Sequence, residues 1–464
     1  MDYSIFKTYD IRGVYPEQFN EDLAYKLGRA YATWLKAKES DPAAGAKVSM
    51  LKVGLGSDMR LSSPALKAQV LAGLLDSGIN VEDIGLVSTP SFYFAVASGG
   101  YDGGIQVSAS HNPKQYNGLK IVTKNAVPVS EKSGLLEIRQ IVEDQSYCAI
   151  APVRGILSSH PGVIAEEAEQ ELSGLDLGAV KPFKIVIDAG NGMGSLDMAA
   201  LFSKLPQCEI IKMNFELDGN FPAHEADPMK AENTADLCAR VIAEKADLGI
   251  APDGDADRIF FIDDKGKVVP QEILRGILAQ IELRANPRAI VTYDLRPGQI
   301  TKDMIAEVGG RAIITPVGHS LIKEIMISAG AVFGAESSGH YFYKMPFGTF
   351  EAPMLMIVKF LLYLSGQTLP LSEVVAPLKR YFSSGEINLH LESHEAAAQK
   401  IELVKEKYPD GKQSFIDGIS VEYPDYWFLV RASNTEPLIR FTVEARSREV
   451  MEKVSQELRK LLQG

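Results

Sequence analysis

The sequence predicts an α/β protein of three similar α/β domains with mixed sheets, plus a C-terminal α+β domain. Three observations predict it. Strand-length apolar runs alternate with helix-like segments from the N-terminus to about residue 370, the pattern of βαβ units. From there on, strands follow strands in sequence, as in α+β folds. The chain has 464 residues, which at roughly 150 per domain suggests about three domains and allows four.

The first domain spans residues 1–152. Residues 47–57 hold a short apolar run, 64–77 are helix-like, 79–87 are apolar again, and 103–110 and 119–123 read as strands. Residues 147–159 have weak periodicity and contain Pro152 and Gly155, which sets the boundary there. The second domain spans 153–266. The strand KIVID at 184–188 leads through a glycine-rich turn into an apolar helix at 195–205. A strand at 209–215, a helix at 231–245 and the short run 248–250 follow. Residues 259–262 and 268–269 flank a turn at 264–266 and read as a hairpin. The third domain spans 267–370: a helix from 271 to about 284, strands at 289–293, 312–315 and 331–333 separated by helices, and the apolar stretch 354–364. That stretch is too short to cross a bilayer and carries Lys359, so it reads as a buried helix. The fourth domain spans 371–464, with strands at 386–391, 419–423, 427–431 and 438–443 and two amphipathic helices, the final one at about 448–462.

Composition narrows the function. Apolar residues are 46% and charged residues 23%, an ordinary globular balance. Acidic residues outnumber basic ones by 60 to 48, a net charge of −12, which speaks against nucleic acid or an anionic membrane as partner. A local basic pocket for a small anion stays compatible with it. Cys148, Cys208 and Cys238 share no metal-ligand spacing and make no disulfide framework, so they read as small buried hydrophobes. The N-terminal residues carry no signal-peptide pattern, and the expected location is the cytoplasm.

Five strings carry chemistry. Asp253, Asp255 and Asp257 stand at i, i+2 and i+4 between apolar strands. Three carboxylates there repel one another unless a cation fills the gap, and hard oxygen ligands suit Mg²⁺ or Mn²⁺. An EF-hand loop fits poorly, because Arg258 and Asp264 stand where Gly and Glu are required. Ser108-Ala109-Ser110-His111-Asn112-Pro113 ends an apolar strand; Ser110 is a candidate nucleophile or phosphate carrier, with Lys120 as base or charge partner. An ordinary Ser/Asn/Pro loop is the alternative. Gly190-Asn191-Gly192-Met193-Gly194 resembles part of a dinucleotide fingerprint, with Glu216 as a ribose acid. It fails at its last glycine, where Ser195 stands, and Asp188 precedes it; a tight strand-to-helix turn without ligand is the alternative. Gly334-Ala335-Glu336-Ser337-Ser338-Gly339-His340 offers groups for sugar hydroxyls, and Val317-Gly318-His319 closes a strand and opens a helix. Arg431-Ala432-Ser433-Asn434-Thr435 combines a guanidinium fork with small hydrogen-bonding side chains, suited to phosphate. No Walker A sequence occurs. Together the strings fit phosphoryl transfer on a polyhydroxylated substrate, with one element per domain around a central cleft.

With these motifs in this order, the chain resembles the α-D-phosphohexomutases, in the bacterial phosphomannomutase/phosphoglucomutase branch. Tyr9-Asp10-Ile11-Arg12-Gly13 also looks like this branch, whereas glucosamine mutases usually open with a Thr-Asp-Gly-Ile-Arg-Gly form. The resemblance implies interconversion of hexose 1- and 6-phosphates, of mannose and also of glucose, through a phosphoserine at Ser110 and a hexose 1,6-bisphosphate. It implies Mg²⁺ held by Asp253, Asp255, Asp257 and a phosphoserine oxygen. Ser110, His111, Lys120, Arg258 and His319 are the implied catalytic group. Tyr9, Arg12, Arg296, Gly318, His319, Glu336 and Ser338 would line the substrate site. Arg431, Ser433, Asn434 and Thr435 would hold the phosphate that is not reacting, on a domain that closes as a lid. The implied partners are small hexose phosphates, with no nucleic acid or membrane, on a monomer or homodimer.

The sequence departs from the family pattern at Ser108, Ala335, Arg296 and Phe350-Glu351-Ala352-Pro353. These departures are expected near the sugar pocket, leaving the phosphoryl-transfer groups untouched. The alternatives are a glucosamine or N-acetylglucosamine phosphomutase, a dinucleotide-dependent oxidoreductase using the turn at Gly192, and a non-catalytic sugar-phosphate sensor.

Overall fold

A computed structural model describes residues 2–39, 50–296, 298–432 and 438–463. The chain forms two compact units, Met1–Val268 with Ser338–Leu371, and Val269–Ser337 with Ser372–Gly464. The expected block 267–370 is therefore divided between them.

The first unit holds two mixed sheets. In the larger, Gly103–Val107, Lys52–Ser57 and Asn80–Leu86 run parallel. Tyr116–Thr123 then returns antiparallel beside Gly103–Val107, and Ile11–Val14 pairs antiparallel with it at the edge. The central strands are buried along almost their whole length, which is why they read as apolar runs rather than alternations. The helices Glu21–Glu39 and Ser63–Asp76 cross in close contact, and glycine permits it: a Cβ at Gly28 would lie 2.5 Å from the Val70 carbonyl oxygen. Leu157–Ser159 adds a last parallel strand beside Asn80–Leu86, so this sheet continues past the boundary expected at 152. All three of those residues are exposed, and no hydrophobic pattern announces the strand.

In the smaller sheet, Glu209–Met213, Lys184–Asp188 and Leu248–Pro252 are parallel and Ile259–Asp263 is antiparallel to Leu248–Pro252. The expected hairpin at 259–269 is a tight turn instead, with one bridge between Ile262 and Val268. The Asp263 carboxylate takes the amides of Lys265 and Lys267, which closes the turn, while the neighbouring strand supplies the ladder. Tyr341–Met345 and Gly348–Glu351 form an antiparallel hairpin that the sequence reading did not assign. Pro353–Ser365 is the expected buried helix, and Lys359 places its ammonium 4.9 Å from the Tyr343 ring centre. This helix packs with Val163–Glu171 and Gly194–Ser203, and Thr89–Ser98 packs on Val163–Glu171. Buried among them are the carboxylates of Glu167, Glu171 and Asp197.

The second unit holds a parallel sheet, Arg311–Thr315 beside Ile290–Asp294 beside Phe333–Ala335. Its other part is antiparallel: Leu438–Ala445 pairs with Tyr426–Ala432, Ile387–His390 and Phe382–Ser383, and Ile419–Glu422 continues from Tyr426–Ala432 to Lys412–Ser414. Alternate residues of these strands face the helices His394–Lys407 and Arg448–Gln463, with Phe428, Val430, Phe441 and Leu458 at the core. Glu444 ties the two parts. Its carboxylate accepts the Trp427 indole N–H at 2.5 Å and the Gly298 and Gln299 amides that open the helix Gln299–Glu307. Among the described residues, no helix is long and apolar enough to cross a membrane.

Candidate active site

The aspartate triplet occupies the connection between two antiparallel strands. Pro252 faces Ile259 at the last rung, so 253–258 must turn within six residues. Ala256 adopts φ +64°, and its amide closes onto the Asp253 carbonyl at 3.1 Å. The turn converges the three carboxylates: all are buried, and their oxygens lie within 4.8 Å of one another. The Thr89 hydroxyl donates to Asp255 at 2.5 Å, while Asp255 Oδ1 is buried without a hydrogen-bond partner.

Cations surround the triplet. Lys120, on the strand Tyr116–Thr123, places Nζ 2.6 Å from Asp257 and 3.1 Å from Asp255. Arg258 Nε is 3.7 Å from Asp253, and His340 Nε2 is 3.1 Å from Asp257. Burial works against charge on Asp257, yet Lys120 and His340 hold its carboxyl well below the usual range. Asp253 goes the other way: burial, then Asp257 and Asp255, push it well above. Burial also opposes the charge on Lys120, but Asp255 and Asp257 raise it well above its ordinary value. Lys120 is thus a buried ammonium, a proton donor or charge partner rather than a ready base.

Ser110 comes to this centre from the end of Gly103–Val107. Its hydroxyl lies 3.4 Å from Asp253 Oδ2 and 3.1 Å from His111 Nδ1. Its backbone is left-handed at φ +52°, a sparsely populated conformation for serine. Burial, then Arg258 and Arg12, depress the His111 imidazole to about 2, so it is neutral beside the serine. Arg12, on Ile11–Val14, is paired with Asp10 at 2.7 Å and reaches the Asn112 side chain at 2.5 Å. Tyr9 stands half-buried just before this strand. The Ser338 hydroxyl is 2.8 Å from His340 Nδ1, which orients the imidazole toward Asp257. The first unit thus gathers Ser110, His111, Lys120, the triplet, Arg258, Arg12 and Ser338.

The second unit gathers another set. Arg296 spans Asp294 at 2.6 Å and Glu336 at 3.2 Å, and Glu336 also accepts the Gly318 amide at 3.0 Å. Burial opposes its charge, but Asp294 and Glu336 raise its pKa. Gly318, at φ +133°, lets the chain turn directly into the helix His319–Ala329, so His319 begins that helix beside the Glu336 carboxylate's partner. Arg431, on Tyr426–Ala432, is paired with Glu386 at 2.9 Å. Ser433, Asn434 and Thr435 lie outside the described residues.

Two expectations change. The glycine turn is not a dinucleotide cradle. The amides of Asn191, Gly192 and Met193 are taken by the carbonyls of Asn214, Ala189 and Gly254. A Cβ at Gly192 would meet Gly254 O at 2.9 Å, so the glycines let this turn pack under the aspartate loop. The departure at Glu351 is not remote from the phosphoryl-transfer groups either. Its carboxylate, His340 and Asp257 offer ligand atoms within 4.8 Å of one another. The hairpin that brings it there has no clear sequence signature, because three successive residues of each strand are buried and no alternation shows.

Sequence reasoning also missed three participants. His340 was visible in its string but carried no assigned role. Thr89 had no signal beyond the Ser-Thr-Pro helix start. Arg60 is a buried arginine in an unremarked turn, donating to the Ser110 carbonyl at 2.7 Å.

Comparison with known proteins shows the family. Models for phosphoglucomutase/phosphomannomutase alpha/beta/alpha domains I, II and III match residues 3–147, 168–266 and 272–381, and the model for the C-terminal domain of the same family matches 386–461. A phosphomannomutase of Escherichia coli is 35% identical over 452 residues, covering 95% of each chain. A phosphoglucomutase of Neisseria gonorrhoeae is 34% identical, covering 99% of this chain and 97% of that one. A solved phosphoglucomutase/phosphomannomutase family protein of Burkholderia thailandensis superposes with a TM-score of 0.86 at 30% identity, covering 100% and 97%. The chain belongs to the phosphoglucomutase/phosphomannomutase family and is a phosphohexomutase, an isomerase of sugar phosphates.

Proposed function

We propose that the chain interconverts hexose 1-phosphate and hexose 6-phosphate, with mannose and glucose as its hexoses, through a phosphoserine at Ser110 and a hexose 1,6-bisphosphate. The observation that carries this reading is the approach of the Ser110 hydroxyl to within 3.4 Å of Asp253, at the mouth of a buried carboxylate triplet. The names of the full-length relatives, phosphomannomutase and phosphoglucomutase, favour hexose over amino-sugar phosphates.

The triplet fits a hard divalent cation: three buried carboxylates, with one Asp255 oxygen lacking a hydrogen bond. Asp253, Asp255 and Asp257 would hold Mg²⁺ with a phosphoserine oxygen, and the ion would neutralise charge on the moving phosphoryl group. The protein's own residues do the rest. Lys120 and Arg258 supply fixed positive charge beside the serine. Neutral His111 accepts from or donates to the Ser110 hydroxyl without adding charge. Arg12 and Tyr9 border the serine loop. Glu336, Gly318, His319 and Arg296 would bind sugar hydroxyls, as would Ser338, and Arg431, Ser433, Asn434 and Thr435 would take the distal phosphate. Donation of the Ser110 phosphoryl group to the free hydroxyl of the monophosphate gives the bisphosphate, and the return of its other phosphoryl group restores the phosphoserine. The four expected domains, 1–152, 153–266, 267–370 and 371–464, each contribute one of these elements.

The experiment is a mutase assay with mannose 1-phosphate and glucose 1-phosphate on the wild type, Ser110→Ala and Arg431→Ala. Ser110→Ala is expected to lose more than about 10³-fold in kcat, the scale of removing a nucleophile. Arg431→Ala is expected to raise KM while Ser110 is still phosphorylated. Full turnover by Ser110→Ala would sink the phosphoserine reading.

A further inference from the structure

We propose that Arg60 is a positioning residue for phosphoryl transfer, a buried clamp that sets the conformation of the reactive-serine loop; the inference rests on Ser110 being the phosphate carrier. The Arg60 side chain is fully buried. It donates to four main-chain carbonyls of one loop: Ser110 at 2.7 Å, Asn112 at 2.5 Å, Pro113 at 2.9 Å and Tyr116 at 3.0 Å. A guanidinium is the side chain with enough fixed donors to do this at once. Asp58 balances its charge at 3.2 Å and is itself held by the Ser63 hydroxyl at 2.6 Å. The Phe221 ring covers it, centred 5.2 Å away.

The clamp acts where the loop is least favourable. Ser110 holds φ +52°, and such backbones persist only where surrounding contacts fix them. The Ser110 carbonyl is fixed from two sides. Arg60 holds its oxygen, and Gly254 of the aspartate loop lies so near that a Cβ there would stand 2.6 Å from it. Because the peptide is planar and trans, capturing that carbonyl turns the His111 N–H to the opposite side, away from the clamp. One buried side chain therefore sets the serine's backbone, the direction of the next amide and the contact with the aspartate loop. Misplacing a reacting group by about 1 Å costs on the order of 100-fold in rate. A loss of this kind falls on kcat, because the sugar-facing residues are untouched.

The test is Arg60→Met and Arg60→Lys, each assayed for kcat and KM with glucose 1-phosphate, and for the rate at which Ser110 is phosphorylated by glucose 1,6-bisphosphate with Mg²⁺. Circular dichroism checks folding. The expected result is a fall of about 100-fold in kcat and in phosphorylation rate for Arg60→Met, with KM nearly unchanged, and partial recovery in Arg60→Lys. Phosphorylation of folded Arg60→Met at the wild-type rate, or a rise in KM that accounts for the whole loss, overturns the clamp alone. If Arg60→Met does not fold, Arg60→Lys decides: a lowered kcat at constant KM supports the clamp, and wild-type kinetics overturn it. A wild-type protein that never acquires phosphate on Ser110 overturns the serine reading and the clamp with it.

Discussion

Two buried carboxylate trios sit in the first unit, and they are opposites. Asp253, Asp255 and Asp257 are ringed by Lys120, Arg258 and His340. Glu167, Glu171 and Asp197 pair with no cation among the described residues; one hydroxyl and one amide serve Glu167 and Glu171, and both Asp197 oxygens are buried without a hydrogen-bond partner. Ser91 donates to Glu167, and the Leu355 amide donates to Glu171 at 3.1 Å. The charge state follows. Burial pushes Glu171 up to about 8 and Asp197 up to about 7, and burial with Glu171 and Asp197 pushes Glu167 well above its usual range. In the first trio, burial with Asp257 and Asp255 also raises Asp253, but Lys120 and His340 hold Asp257 well below its usual range. Burial without cations raises the carboxyls of a cluster, whereas cations beside a buried cluster hold at least one carboxylate charged, a charge that a metal can use. Only the first trio brings its oxygens within 4.8 Å of one another.

The comparison breaks most sharply at the metal centre. Asp255→Ala is expected to lower kcat by about 10³-fold and to raise the Mg²⁺ needed for half-maximal rate, read from a metal titration of activity. Unchanged Mg²⁺ dependence would mean the charged trio is not the metal site. Next is Lys120→Met, which makes the first trio resemble the second. With its ammonium gone, the buried Asp257 charge loses its largest compensation, and unfolding in urea is expected to show a loss of about 3–5 kcal/mol. Activity is expected to fall about 100-fold as well.

The second trio gives a pH effect of known sign. Free carboxyls titrate near 4, whereas Glu171 and Asp197 do so at about 8 and about 7 in the fold. Over that window the fold binds more protons than the unfolded chain, so stability is fully present below about pH 4 and declines as pH rises to about 8. The slope is at most about 1.4 kcal/mol per pH unit for each group. The double variant Glu171→Gln, Asp197→Asn is expected to flatten this decline in urea unfolding between pH 5 and 8, to about half or less. The smallest effect is on its turnover, expected to stay within about twofold, because the amides keep the shape of the neutral acids and the Glu171→Gln side chain can still accept the Leu355 amide. A large loss of activity would show that the second trio is not merely structural.

The same contrast explains what was legible. The charged trio was plain in the sequence because its three acids fall within five residues and sit between apolar strands. The neutral trio was not: Glu167 and Glu171 are one helical turn apart in a segment that reads as an ordinary acidic helix, and Asp197 comes from another helix. The central strands and the C-terminal alternation were readable because burial there follows a local period. The edge strands Ile11–Val14 and Leu157–Ser159, and the buried hairpin Tyr341–Met345 with Gly348–Glu351, were not, since they are short or lack alternation. Ser110, Lys120 and the triplet come together across more than a hundred residues, a closeness only their ordered motifs suggested. Arg60 gave no such sign, because a clamp on carbonyls needs no partner side chain.

The most direct test of the account is the phosphorylation state of Ser110, read by intact mass and peptide mapping of the wild type and Asp255→Ala after incubation with glucose 1,6-bisphosphate and Mg²⁺. The account predicts one phosphoryl group on Ser110 in the wild type, removed by mannose 1-phosphate or glucose 1-phosphate, and little or none in Asp255→Ala. A wild-type chain without phosphate on Ser110, or an Asp255→Ala chain phosphorylated as readily, would contradict it.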